Sequence, residues 1–327
     1  YFIRKKFISF RINKEIRKKK NIISVIGFTS LNYFFIIIIL LKIYGITSDS
    51  YISLKINKIG SYRFLFQGGI NDKGHDCNGI SKHSPLKITI NEEEINRDLE
   101  EYSFTVGINT IKIFFDESII CYKCLFYGCS DIDEIDLSNL IIPYVTDMDS
   151  IFNGCSSLTS VNIQNFYLSN INSTIRMFFG CSSLKSLDLT NFNIEKVIST
   201  RFMFGYCSSL ESIDFSNHDT SALTDIAYMF FGCTKITSIN LNKFNTEKVW
   251  AMDWLFVGCS SLIYLDISNF RTPKAQYMGG MFQGCFSLSS LNLSNIDTSF
   301  VIHFEYMFYS CISLVSLDLS NFNKINK

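Results

Sequence analysis

From residue 129 onward the chain repeats itself every 26 residues: Cys129, Cys155, Cys181, Cys207, Cys233, Cys259, Cys285 and Cys311, each with a phenylalanine three residues before it, from Phe126 to Phe308. A fixed period in this range means one small supersecondary unit stacked on copies of itself, since a single unit cannot bury its own apolar face. An ordinary globular domain is thereby excluded for most of the chain.

One unit shows how the stacking works. In Ser183 to Phe192 (SLKSLDLTNF), Leu187 and Leu189 alternate with Ser186, Asp188 and Thr190, the period of two that predicts a strand with leucines inward. Aligned over all units, one inward column reads Ile135, Val161, Leu187, Ile213, Ile239, Leu265, Leu291 and Leu317, and the column two residues on is also apolar throughout. After the strand, Asn139, Asn165, Asn191, Asn217, Asn269, Asn295 and Asn321 recur, with Lys243 the one break; such an Asn can satisfy backbone groups that a turn leaves unpaired. The second half of the unit, as in KVWAMDWLFVGC (248–259), spaces Val249, Met252, Leu255, Phe256 and Cys259 by three and four, which predicts a short helix or 3-10 turn packed on the strand.

The units resemble the BspA-like leucine-rich repeats, whose 26-residue form MFxGCSSLxSLDLSNFxTxxVxxMxxMF is followed closely by MFQGCFSLSSLNLSNIDTSFVIHFEYMF at 281–308. The likeness spans 121–322. The expected fold is an α/β solenoid: a right-handed leucine-rich-repeat array of short parallel strands with short helical or 3-10 returns, preceded by a small β region and an N-terminal transmembrane helix. The resemblance implies a membrane-anchored or secreted surface protein engaged in adhesion.

Charge and hydropathy organise the rest. The formal charge is zero, but residues 1–20 hold nine Lys/Arg against one Glu, so all the excess basic charge sits in one short arm. No basic binding face remains for nucleic acid, which is not an expected partner. Ile22 to Leu41 has no charged residue and is long enough, as a helix, to cross a bilayer of ~30 Å. With the cations before it, this predicts a basic cytoplasmic arm (1–21), a signal anchor (22–41) and everything beyond it outside the cell, or secreted if the segment is cleaved. Residues 50–120 carry strand patterns at 51–57 and 85–91 and form a small β-rich capping region with a divergent first coil at 106–120, ahead of the repeat array (121–327). The loop between those strands gathers His75, Asp76, Cys77 and His83, at spacings that match no zinc or EF-hand pattern.

The repeat cysteines admit three readings: stacked disulfides, a metal ladder, or thiols filling the core. Side chains in register keep Cβ atoms ~4.8 Å apart, beyond the usual disulfide separation, and the thiol reading is preferred. Cys77, Cys121 and Cys124 lie outside the ladder, and two of them can pair in an oxidising compartment. The outward strand columns carry the candidate ligand face: Ser186, Asp188, Ser212, Asp214, Ser238, Asn240, Tyr264 and Asp266. A weak Ca²⁺ site in the Asp column is weighed against a simply solvated face, which is preferred. Asn172 and Asn292 head glycosylation sequons, and Asn172 is the better acceptor because Asn292 falls mid-strand. His75, His83, His218 and His303 form no nucleophile–base constellation, so no enzyme, cofactor or metal is expected. The expected function is cell-surface recognition of a protein or glycan through the strand face; the alternative is a structural coat or spacer.

Overall fold

The structure, a computed structural model, describes residues 50–58, 60–62, 85–96, 102–104, 107–115, 122–141, 145–163 and 170–322. The basic arm, the apolar stretch 22–41 and the loop holding His75, Asp76, Cys77 and His83 lie outside the described residues.

The β region before the repeats follows from alternation. β1 (Tyr51–Ile56) buries Ile52, Leu54 and Ile56 and exposes the residues between more fully, and β6 (Asn109–Phe114) buries Ile111 and Ile113. The two pair antiparallel with Leu54 opposite Ile111. β3 (Lys87–Ile90) pairs with the other edge of β6 and turns back into β4 (Glu93–Ile95). Their two-residue turn, Asn91 and Glu92, has φ of 51° and 72°, the doubly positive pair that suits the twist of a tight hairpin. β2 (Gly60–Tyr62) and β5 (Tyr102–Phe104) form a separate antiparallel pair. The free edge of β1 pairs antiparallel with β7 (Glu134–Asp136), the first strand of the repeats. Lys55 reinforces that seam with an ion pair to Glu134 at 2.6 Å.

β7 then pairs parallel with β8 (Ser160–Asn162), Ile135 opposite Val161, 26 residues on. β9 (Ser212–Asp214) and β10 (Ser238–Asn240) pair in the same register, as do β11 (Tyr264–Leu265) and β12 (Ser290–Leu291). The inward columns are buried, for example Ile213 and Leu265.

The expected α/β solenoid is overturned in its elements. Among the described residues there is no helix of any kind, and the repeat strands are two or three residues long, divided among separate small sheets. Ser186 to Asp188, the unit that best displayed the strand alternation, belongs to no assigned strand. No described helix is long and apolar enough to cross a membrane, and the stretch on which the anchor expectation falls is outside the described residues.

The physical reason for the missing helical returns lies in one position per coil. Arg176, Phe202, Tyr228 and Trp254 have φ of 54°, 56°, 60° and 59°, and Cys124, Ser150, Gly280 and Tyr306 occupy the same column with positive φ. Left-handed backbone at that point breaks any i→i−4 helical ladder. The return is instead a run of tight turns whose hydrogen bonds alternate. Met177, Phe179 and Cys181 N–H groups donate three residues back, to Thr174, Arg176 and Phe178 carbonyls. The N–H groups between them, on Arg176, Phe178 and Gly180, donate to Arg201, Met203 and Gly205 of the next coil. Consecutive turns also space apolar residues by three, which is why the sequence pattern resembled a helix.

Behind the returns lies the core. Phe126, Phe152, Phe178, Phe204, Phe230, Phe256, Phe282 and Phe308 stack ring on ring with centroids 5.3–5.8 Å apart. All eight repeat cysteines are free thiols. Each S–H from Cys155 onward donates to the phenylalanine carbonyl of the preceding coil, at 3.0–3.3 Å. Burial pushes the thiols of Cys155, Cys181, Cys207 and Cys259 well above their ordinary range, so they are weak nucleophiles held for their shape and their donor. A buried threonine column does similar work: the Thr246 hydroxyl donates to the Arg271 carbonyl at 2.7 Å and accepts from the Arg271 N–H at 2.9 Å, and Thr272 repeats this on Asp297 at 2.8 Å each way.

Candidate functional site

The strand side carries the residues singled out from the sequence. Ser186, Ser212, Ser238 and Tyr264 are exposed, Tyr264 at 62%, while Leu187, Ile213, Ile239 and Leu265 between the two outward columns point into the core. Ser186, Ser212, Asp214, Ser238, Asn240, Tyr264 and Asp266 together line one shallow groove of about 580 Å³ that crosses the coils. Asp188 lies instead in a neighbouring depression with Ser160, Asn162 and Asn191. Past Tyr264 and Asp266 the surface continues into a third hollow lined by Ser290 and Asn292.

The Asp/Asn column has a local duty that spacing alone did not reveal. Each side chain closes the turn after its strand by accepting from the N–H two residues on: Thr190 onto Asp188 at 2.9 Å, Ser216 onto Asp214 at 2.7 Å, Asn242 onto Asn240 at 3.3 Å, Ser268 onto Asp266 at 2.9 Å. Either residue offers the required Oδ1 acceptor, which explains why Asp and Asn interchange along the column. The hydroxyl and N–H of Thr190 hold the Asp188 carboxyl below its ordinary value, and those of Ser216 and Ser268 do the same for Asp214 and Asp266. The face is therefore anionic, and no Lys or Arg lines the groove.

The opposite, turn side holds residues that sequence reasoning passed over. Arg176, Phe202, Tyr228 and Trp254, the left-handed residues of successive coils, form a column: the Arg176 guanidinium lies 4.9 Å from the Phe202 ring, Phe202 stacks on Tyr228 at 4.3 Å, and Tyr228 on Trp254 at 6.0 Å. Trp254 ends it by covering Gly280, where any Cβ would meet the indole at 3.0 Å. Arg201 reaches over Tyr228 at 4.9 Å and pairs with Asp225 at 3.5 Å. Beside this column the order of a larger residue followed by glycine, as in Phe179-Gly180 and Phe231-Gly232, is inverted at Gly205-Tyr206. Tyr206 takes the left-handed glycine position with φ of 58°, and packs edge-on between Phe179 and Phe231 at 5.4 and 4.9 Å. Burial raises the carboxyls of Asp149 and Asp225 here, and burial with the neighbouring Arg201 lowers Arg176. The signal was present in the repeat columns, as one that changes from Ser150 to Arg176 to three aromatics while the column after it stays apolar, from Ile151 through Met177, Met203 and Met229 to Leu255.

The remaining candidates are scattered. Asn172 is exposed, but Thr174, the hydroxyl residue of its sequon, is fully buried with its hydroxyl against the Met203 sulfur at 3.7 Å. His218 stands 2.9 Å from the Leu189 carbonyl through Nε2, its Nδ1 buried without a partner, whereas His303 is stacked on Tyr277. Among the described residues no group of three His, Cys, Asp or Glu side chains could hold a metal. Cys124 is disulfide-bonded, with its partner outside the described residues.

A family model described as Mycoplasma protein of unknown function, DUF285, matches residues 121–239 and again 224–326. No curated protein and no solved structure matches the chain.

Proposed function

The chain belongs to the DUF285 family, and from that premise we propose that it is a surface recognition protein, built from repeats of the BspA-like kind, that holds an extended protein or glycan ligand against its strand face. The observation that carries this reading is the polar groove crossing successive coils, lined by Ser186, Ser212, Asp214, Ser238, Asn240, Tyr264 and Asp266. Repeat proteins use such multi-coil surfaces for binding, and nothing in the groove pairs a nucleophile with a base, so we read it as binding and not as catalysis. The disulfide at Cys124 favours a compartment outside the cytosol, where such bonds persist. The amino-terminal sequence, basic and then apolar, favours export.

One observation favours the second reading, a coat or spacer without a specific ligand: the Asp/Asn column already serves the turns of its own coils. The two readings separate when the immobilised full chain is screened against host proteins, matrix proteins and glycans. Recognition requires saturable binding that falls more than about tenfold, some 1.4 kcal/mol, in Ser212→Arg with Asp214→Arg. Failure to bind across all three panels leaves the coat.

A further inference from the structure

Resting on the recognition reading above, we infer that the ligand of the strand-face groove is a neutral, unbranched glycan chain lying along the stacking direction, one sugar per coil. Three observations converge on it.

The first is pitch. The groove runs across the strands, through the outward residues of four successive coils at Ser186, Ser212, Ser238 and Tyr264. Paired strands lie ~4.7–4.9 Å apart, so the groove presents one outward hydroxyl per coil at that interval, with Asp214, Asn240 and Asp266 beside the last three. An extended peptide advances ~3.3 Å per residue and ~6.6 Å between side chains on one face, so it loses register with the groove within two coils. A pyranose unit in an extended chain is close to the coil spacing in length, and its hydroxyls can meet an outward hydroxyl in each coil and the Asp or Asn acceptor beside it from Asp214 to Asp266.

Charge is the second. Asp214 and Asp266 are carboxylates whose charged form Ser216 and Ser268 favour further, holding them below their ordinary value, and no Lys or Arg lines the groove. Each carboxylate accepts the turn N–H at Oδ1, and a carboxylate has lone pairs for more than one donor. Sulfated or carboxylated chains are repelled by such a lining, while sugar hydroxyls are good donors to it.

The third is Tyr264. It replaces serine in a column that reads Ser186, Ser212, Ser238 before it and Ser290 after it, and 62% of it is exposed beside Asp266. Such a phenol presents an apolar ring and a polar tip together, which suits the C–H face and hydroxyl rim of one sugar.

The test presents the full chain with linear neutral oligosaccharides of several linkages, graded in length from the disaccharide, beside acidic oligosaccharides and extended peptides. The expected result is binding to a neutral series whose affinity rises with length and levels off near four sugars, the span of the groove at one sugar per coil. Tyr264→Ala should weaken that binding about tenfold and Tyr264→Phe much less, while Tyr206→Ser on the turn side leaves it unchanged. Preference for acidic chains or for peptides, still abolished by Ser212→Arg with Asp214→Arg, overturns the glycan inference and keeps the recognition reading. Binding indifferent to that double substitution overturns both.

Discussion

The strand side and the turn side run through the same coils with the same period, yet they settle their polar groups in opposite ways. On the strand side, backbone N–H groups that follow the strands are capped by exposed Asp or Asn side chains, and the carboxyls are held low. On the turn side, backbone groups are satisfied mainly coil to coil by the main chain and by buried thiols, and the carboxylates that do cap N–H groups there, Asp149 on Ile175 and Asp225 on Ala227, are raised by burial. Stability is thus concentrated behind the turns, which leaves the strand side free to vary its outward residues. Where a repeat protein can afford a changing surface is decided by which side its side chains are needed for the fold.

The hardest blow to that contrast is a paired truncation. Phe204→Ala removes a fully buried ring stacked between Phe178 and Phe230 and should cost about 3–5 kcal/mol. Ser212→Ala, exposed on the strand side, should stay within about 0.5 kcal/mol; urea unfolding of both variants checks the pair, and comparable losses would erase the distinction. Next comes Thr246→Val, which keeps shape but strands both the Arg271 N–H and carbonyl, at about 1–3 kcal/mol in the same measurement. Asp214→Ala should cost about 0.5–1.5 kcal/mol by opening one turn, whereas Asp214→Asn should be close to silent because Asn240 already performs the same task. Equal losses in the two would show that charge, not turn closure, is what that column supplies.

Protonation draws the contrast most finely. For Asp188, Asp214 and Asp266 the folded-state value lies below the ordinary 3.8. Their stabilisation is present above that ordinary value and is lost as pH falls through the folded one. For Asp149 burial raises the folded-state value above 3.8, so the folded state holds its proton more tightly, and stability is lost as pH rises from the ordinary value through the folded one. Asp149→Asn keeps an acceptor for the Ser173 hydroxyl and the Ile175 N–H, which now bond Asp149 at 2.6 and 2.8 Å. It should raise the thermal midpoint near neutral pH and bring no gain well below pH 3.8; a midpoint raised equally at every pH contradicts the burial argument.

Much of the packing was legible in the sequence, because alternation is a direct record of which side a residue faces. Ile135, Ile213 and Leu265 were placed inward by period two and are buried. The returns were misread because a three-residue spacing is shared by helices and by consecutive turns, and only backbone sign separates them. That sign is invisible when the left-handed residue is Arg176 or Trp254 and not glycine. The duty of Asp188 and Asp214 was hidden for another reason: a turn-closing carboxylate and a ligand-binding one occupy the same outward column. The aromatic column escaped notice because it is conspicuous only when the returns, and not the strands, are compared coil by coil.

The bonds between coils carry one further consequence. Each coil meets the next through the same set, N–H to the carbonyl 25 residues on and thiol to the carbonyl 29 residues back, so a coil cannot tell which neighbour it was born beside. A gene encoding such 26-residue units can gain or lose whole units by unequal recombination while the backbone and thiol bonds between coils keep the same form. Such copy-number change would lengthen or shorten the groove one step at a time, turning a genetic accident into an adjustment of valency.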